Sequence, residues 1–210
     1  MDVEQQAREE IVYLGRMLHQ KGYVVATDGN LTARLDDGRV LATPTGMSKG
    51  SMEPGDLVVV DLQGQRLAGH RSVSTEIGMH MMIYRLRPDV KGIVHAHPVT
   101  ATGYAAAGIE LNHALLSEVV ACLGSVPLAQ YATPGTAELA ASIEPLVPRH
   151  DAILMANHGV VTYGDSLQNA YMKMERVEHF AKISLVTHLL GKQHPLSAAE
   201  VERLVGTNQR

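Results

Sequence analysis

The chain has little aromatic character and almost no sulfur nucleophile: its 210 residues include no Trp, one Phe and one Cys. With Phe180 as the lone Phe, platforms for stacking nucleic-acid bases are scarce. A single Cys excludes an internal disulfide. Cys122 lies in the apolar run Val119–Leu123 and is expected to be a small buried hydrophobe, because a reactive thiolate needs an electropositive, partly exposed setting. Basic blocks are also missing: 18 Lys and Arg against 22 Asp and Glu give a formal charge of -4, which leaves no track for a phosphate backbone and argues against nucleic acid as a partner. No run approaches the ~20 apolar residues of a membrane span, and the opening MDVEQQAREE is acidic where a secretory leader is basic and then apolar. The expectation is a cytoplasmic protein without membrane contact.

What is present is a globular composition. Hydrophobic residues make up 45% and charged residues 19%, with ten Met available to fill irregular core space and no repeat or low-complexity tract. The length fits one domain spanning residues 1–210.

Helical spacing of Ile11, Leu14, Met17 and Leu18 predicts an amphipathic helix from about Gln5 to Gln20, ended by Gly22. Short β-prone runs follow at Leu31–Leu35, Arg39–Thr43 and Leu57–Leu62. They are separated by turn chemistry at Asp37-Gly38, Pro44 to Gly46 and Pro54-Gly55, which predicts an antiparallel meander. Helix is predicted over 75–86 with Ser74 as N-cap, strand over Val90–His97, helices over 99–107 and 115–123, and a short strand over Val126–Tyr131. Beyond these come a helix over 136–146, strands at Ala152–Ala156 and Val160–Tyr163, a long helix over 165–190 and a short one over 197–205, leaving a frayed tail over 206–210. Strands and helices mix without strict alternation. The predicted fold class is therefore α/β: a three-layer α/β/α sandwich around a mixed, mostly antiparallel central sheet.

Eleven His residues stand out, and position decides which matter. His95 and His97 end a predicted strand, and period-two alternation turns both to one side, where they can grip one cation. A third imidazole, His158, follows another strand and precedes Gly159. Side-by-side strand ends would gather the three rings and leave a coordination position open, as catalytic zinc sites do. The plainer alternative is a chance His-x-His pair and a turn His. Glu76, in Ser74-Thr75-Glu76 at a helix start, is either part of a capping cluster or a carboxylate that reaches toward the metal while the hydroxyls and free N–H groups hold an anion. Thr27-Asp28-Gly29-Asn30 and Thr45-Gly46 are two further candidate anion turns. His80, one helical turn past Glu76, reads as a structural hydrogen bonder. His19, His70, His150, His179, His188 and His194 have no partner at ligand spacing, and Tyr131 and Thr136 read as structural loop residues.

Taken together these residues resemble the class II aldolase/adducin family, over about Arg8 to Val205. The anchors are DGN (28–30), the TG turn (45–46), STE (74–76) followed by His80, YRLRPDVKGIVHAHP (84–98), YATPGT (131–136) and ANHGVVTYG (156–164). The resemblance implies that His95, His97 and His158 bind a divalent metal, Zn2+ or another such as Mn2+ or Co2+. Glu76 is then the proton-transfer group and a ligand when substrate is absent. Asn30, Thr45, Gly46, Ser74 and Thr75 hold a substrate phosphate, with Thr27 and Gly29 contributing. It further implies a homotetramer with the active site between subunits.

The implied activity is metal-dependent cleavage of a small deoxyketose 1-phosphate, like L-fuculose 1-phosphate, to dihydroxyacetone phosphate and an aldehyde through a metal-stabilised enediolate. Family epimerases typically carry Asp where this chain has Glu76, and they add a C-terminal Tyr, whereas no Tyr follows Tyr171 here. Family aldolases carry a Tyr near His113 and Ala114, given across the subunit interface to the leaving aldehyde; either His113 takes its place or the substrate differs. Epimerisation, dehydration and decarboxylation of a 3-oxo sugar-acid phosphate are the enzymatic alternatives, and a non-catalytic adducin-head-like interaction module the non-enzymatic one. That module loses the metal His residues, all of which stand here. A cupin needs a Glu soon after His-x-His and an all-β chain, and neither is found.

Overall fold

The computed structural model describes residues 3–207. Its strands are β1 (Asn30–Arg34), β2 (Val40–Ala42), β3 (Val58–Val60), β4 (Arg66–Ala68), β5 (Gly92–Ala96), β6 (Leu128–Ala129), β7 (Ala152–Met155) and β8 (Gly159–Gly164). They form one sheet in the order β4-β3-β2-β1-β5-β8-β7-β6, in which only β6 and β7 run parallel. The helices are α1 (Val3–Gln20), α2 (Ile77–Leu86), α3 (Val99–Ala106), α4 (Ser117–Cys122), α5 (Ala137–Ile143), α6 (Leu167–Leu189) and α7 (Ala198–Thr207).

The central strands are buried on both faces, so they read as continuous apolar runs instead of alternating ones. Alternation then divides the core in two. Val94 and Ala96 of β5 join Leu31, Leu154 and Val160 under α1, α3 and α6, while Ile93 joins Ile153, Val161 and Tyr163 under α2 and α5. This is the three-layer sandwich expected, and each buried Ile, Val or Leu contributes roughly 1.5–3 kcal/mol by leaving water. Gly92 permits the close seating of α6: a Cβ there would lie 2.3 Å from Leu167 Cα.

Several expectations are corrected. Cys122 is exposed, not buried, because α4 turns Val119 and Val120 inward and leaves its last residue facing water. Ser74 does not cap α2; the N-cap position falls on Glu76, and the Ser74 hydroxyl accepts the Glu76 N–H at 3.3 Å. The edge strand β4 is wholly exposed, so no apolar pattern announced it. At the other end α7 continues helical through Gly206 and Thr207, where a frayed tail was expected; positions 208–210 lie outside the described residues.

Candidate metal centre and anion pocket

The site forms where β1, β5 and the β7–β8 turn end on the same side of the sheet. Asn30 and His95 are directly paired across β1 and β5, and His95 faces Val161 across β5 and β8. Period two places His95 with Ile93 on the α2 side, where Glu76 opens the helix. His158 sits in the tight turn between β7 and β8, with Asn157 before it in the left-handed region at φ 55°, a conformation Asn tolerates better than most residues. Gly159 is required by closeness: a Cβ there would lie 2.4 Å from His97 Cδ2 and 2.7 Å from the Ala96 carbonyl oxygen. His97 is fixed by its N–H to the Tyr23 carbonyl. Just beyond it, the buried Glu178 carboxylate accepts the N–H groups of Thr100 and Ala101, capping α3.

The three rings converge. Their centroids lie 4.7–5.3 Å apart, and one nitrogen from each falls within 4.8 Å of the others. His95 Nδ1 donates to the Val160 carbonyl oxygen at 2.9 Å, which leaves its Nε2 bare toward the cluster, 3.1 Å from His97 Nε2. His97 in turn sets Nδ1 toward the Asp28 carboxylate, 3.6 Å away. At 3.1 Å the two Nε2 atoms suit an N–H···N hydrogen bond when His97 carries its proton there, and equally a shared cation when it does not, since ligands ~2.0–2.1 Å from a tetrahedral zinc lie at about this separation. The orientation of His95 by a carbonyl is the usual support of a metal-binding imidazole, and Asp28 places a negative charge near His97 without a direct hydrogen bond. Burial holds the His95 pKa down to about 3, against the pull of Glu76, and lowers that of His97 as well, so both rings are neutral and competent to ligate.

Glu76 lies against this cluster. Its Oε1 is 3.2 Å from His158 Nε2 and its Oε2 is 3.4 Å from His95 Nε2. Asn30 Nδ2 donates to Oε2 at 2.7 Å, while Oε1 is buried without a hydrogen-bond partner. Burial raises the Glu76 pKa, but the imidazoles of His95 and His158 and the Asn30 amide outweigh it, and the carboxyl is held below the usual carboxylate range. A buried carboxylate oxygen without a hydrogen-bond partner beside three converging imidazoles fits a divalent cation in both charge and donor type.

A pocket of about 300 Å³ adjoins the cluster. Thr27, Gly29, Asn30, Thr45, Ser74 and Thr75 line it together with Glu76, His97 and His158. Gly46, at φ 67°, turns the chain beyond Thr45 without joining the wall. Asp28, Lys49 and Pro134 line it too, and sequence reasoning assigned none of them. Asp28 stood inside a recognised turn; Lys49 carried no signal, since a lone Lys in a turn reads as solvated. The loop read as purely structural, residues 131–136, touches the site through Pro134. His80 is structural as expected: fully buried, it bonds Asn30 Oδ1 through Nε2 at 2.6 Å and Thr32 Oγ1 through Nδ1 at 2.8 Å.

His113 is not brought to this pocket within the chain. Its Nδ1 meets Gln193 Oε1 at 3.1 Å, and it lines a separate apolar groove with Val99, Tyr104, Ile109 and Leu185. Among the described residues no helix is long and apolar enough to cross a membrane.

Residues 9–185 match the family described as Class II Aldolase and Adducin N-terminal domain. A 3-oxo-tetronate 4-phosphate decarboxylase of Pectobacterium atrosepticum is 38% identical over 187 residues, covering 87% of this chain and 85% of that protein. A 5-deoxy-D-ribulose 1-phosphate aldolase of Bacillus thuringiensis is 34% identical over 203 residues, covering 95% and 94%. Among solved structures, an L-fuculose 1-phosphate aldolase superposes with a TM-score of 0.91 at 31% identity, covering 98% of this chain and 97% of that one.

Proposed function

Because the chain belongs to the class II aldolase and adducin family, we propose that it is a zinc-dependent carbon–carbon lyase that cleaves a small deoxyketose 1-phosphate to dihydroxyacetone phosphate and an aldehyde. One observation carries this reading: the Glu76 carboxyl, steered by Asn30, stands against the His95, His97 and His158 cluster beside a pocket lined by Thr27, Thr45, Ser74 and Thr75. His95, His97 and His158 would hold the cation, with Glu76 joining when no substrate is present. When bound, the cation supplies Lewis-acid stabilisation to the negative charge that develops on the substrate's carbonyl oxygen.

The remaining chemistry belongs to side chains. Thr27, Thr45, Ser74 and Thr75 receive the phosphate and set the carbonyl end toward the imidazoles. Glu76 moves the proton at the carbon beside the carbonyl: as the carboxylate that the free site favours it removes that proton in condensation, and in cleavage it first takes up a proton from water and then delivers it to that carbon, a role usually worth ~100- to 10,000-fold in rate. Cleavage also requires a base for the hydroxyl on the departing carbon. We assign this to His113 of an adjacent copy in a homotetramer.

Decarboxylation of a 3-oxo-tetronate 4-phosphate is the second reading, favoured by the relative at 38% identity. The two reactions share their product. Loss of CO2 from the 3-oxo acid and loss of an aldehyde from the ketose both leave the enediolate of dihydroxyacetone phosphate, which Glu76 would protonate. Only the aldol reaction needs the hydroxyl base. Incubation with 5-deoxyribulose 1-phosphate, fuculose 1-phosphate and 3-oxo-tetronate 4-phosphate, with co-product analysis, separates them: aldehyde supports the first reading, and CO2 without aldehyde replaces it with the second.

A further inference from the structure

Lys49 is a buried cation with no role in the chemistry above. It is 1% exposed, yet it is the one Lys or Arg among the described residues lining the pocket. Its Nζ donates to the Thr27 carbonyl at 2.7 Å and to the Met47 carbonyl at 2.9 Å. An ammonium has three protons, so one is left over. The two acceptors come from the two loops that carry Thr27 and Thr45 to the pocket wall, and the ammonium is therefore anchored where those loops meet.

The charge balance of the pocket gives this placement its meaning. Asp28 and Glu76 line the same space and offset the two positive charges of a divalent cation held by the imidazoles, so the roughly two negative charges that a sugar phosphate brings at neutral pH are left to other groups. Hydroxyls and N–H dipoles orient such a group without neutralising it. Burial lowers the Lys49 pKa to about 8, opposed by the attraction of Asp28 and Glu76. A cation kept this dry is held by carbonyls alone until an anion arrives.

We propose that Lys49 is a substrate-binding residue, whose third N–H and charge receive the phosphate of the substrate and make the pocket selective for a dianionic ligand. This rests on the reading of the pocket as a sugar-phosphate site. The experiment titrates the zinc-loaded protein with inorganic phosphate by calorimetry. Lys49→Met should bind phosphate about 10- to 100-fold more weakly than wild type, as expected for loss of a charge-assisted hydrogen bond. Lys49→Arg should recover most of the affinity, and in turnover assays the loss in kcat/KM should be carried by KM. Equal phosphate affinity in wild type and Lys49→Met overturns the proposal and leaves the sugar-phosphate reading standing, whereas a wild type that binds no phosphate removes both.

If Lys49→Met does not fold, the wild type decides through sulfate, which stays dianionic at every pH used. Its affinity should fall roughly 10-fold between pH 7 and 9.5, as the ammonium held by the Thr27 and Met47 carbonyls loses its proton near about 8. A flat profile overturns the proposal.

Discussion

Asn30 binds Glu76 by one oxygen only: the amide donates to Oε2 at 2.7 Å, and Oε1 is left bare, 3.2 Å from His158 Nε2. His80 sets this asymmetry from behind. Its Nε2 bonds the Asn30 carbonyl oxygen at 2.6 Å, so the amide has one favourable orientation, nitrogen toward Glu76. The chain Thr32–His80–Asn30–Glu76 thus aims the carboxyl at the imidazole cluster. Asn30→Ala should retain metal, measured by elemental analysis, while kcat falls about 10- to 100-fold, the range of a lost orienting hydrogen bond. Unchanged kcat would show that Glu76 needs no steering.

In the proposed mechanism the carboxyl and the imidazoles have separable tasks. Glu76→Gln should keep bound metal and lose at least ~100-fold in turnover, since the amide cannot move the proton. His97→Ala should lose the metal itself. Metal content and initial rates on both variants check the division, and full activity in either removes the role assigned to that residue.

The buried His80 makes stability depend on pH. Burial lowers its pKa to about 4, against the pull of Glu76, from an ordinary value near 6.5. The unfolded chain therefore takes the proton first; the contribution is full above pH ~6.5 and is lost as pH falls toward 4, amounting to roughly 3 kcal/mol. Denaturant titrations at pH 7 and pH 4.5 should show a steeper loss for wild type than for His80→Leu. Parallel losses would mean that His80 is protonated in the fold.

In the proposed mechanism His113 divides the two candidate reactions. Aldol cleavage should fall about 100-fold or more in His113→Ala, because the departing carbon's hydroxyl loses its base. Decarboxylation has no such proton to remove and should be little affected. A variant that forms aldehyde at the wild-type rate contradicts the role given to His113.

Much of this architecture was legible in the residues. His95 and His97 announced themselves through strand alternation, and His158 through the turn beside Gly159. Continuous apolar runs located β5 and β8, and turn chemistry located β1 to β3. The unread parts have physical causes. β4 is short and exposed, so it left no apolar periodicity. Cys122 sits among hydrophobic neighbours, yet α4 is too short to bury every side. Lys49 earns its place through contacts with Thr27 and Met47, which are remote along the chain or merely adjacent, and no pattern of residue types encodes them. The His80–Asn30–Glu76 chain likewise spans separate elements, and only the pairing of β1 with β5 under α2 assembles it.

The central claim is that three imidazoles share one divalent cation. Elemental analysis of protein purified without chelator and dialysed against metal-free buffer tests it most directly. The account predicts about one equivalent of zinc or a similar divalent metal per chain, with activity abolished by chelation and restored by the metal, and no bound metal in His158→Ala. Wild-type protein that holds no metal yet turns over sugar phosphate at an undiminished rate in chelator would contradict it.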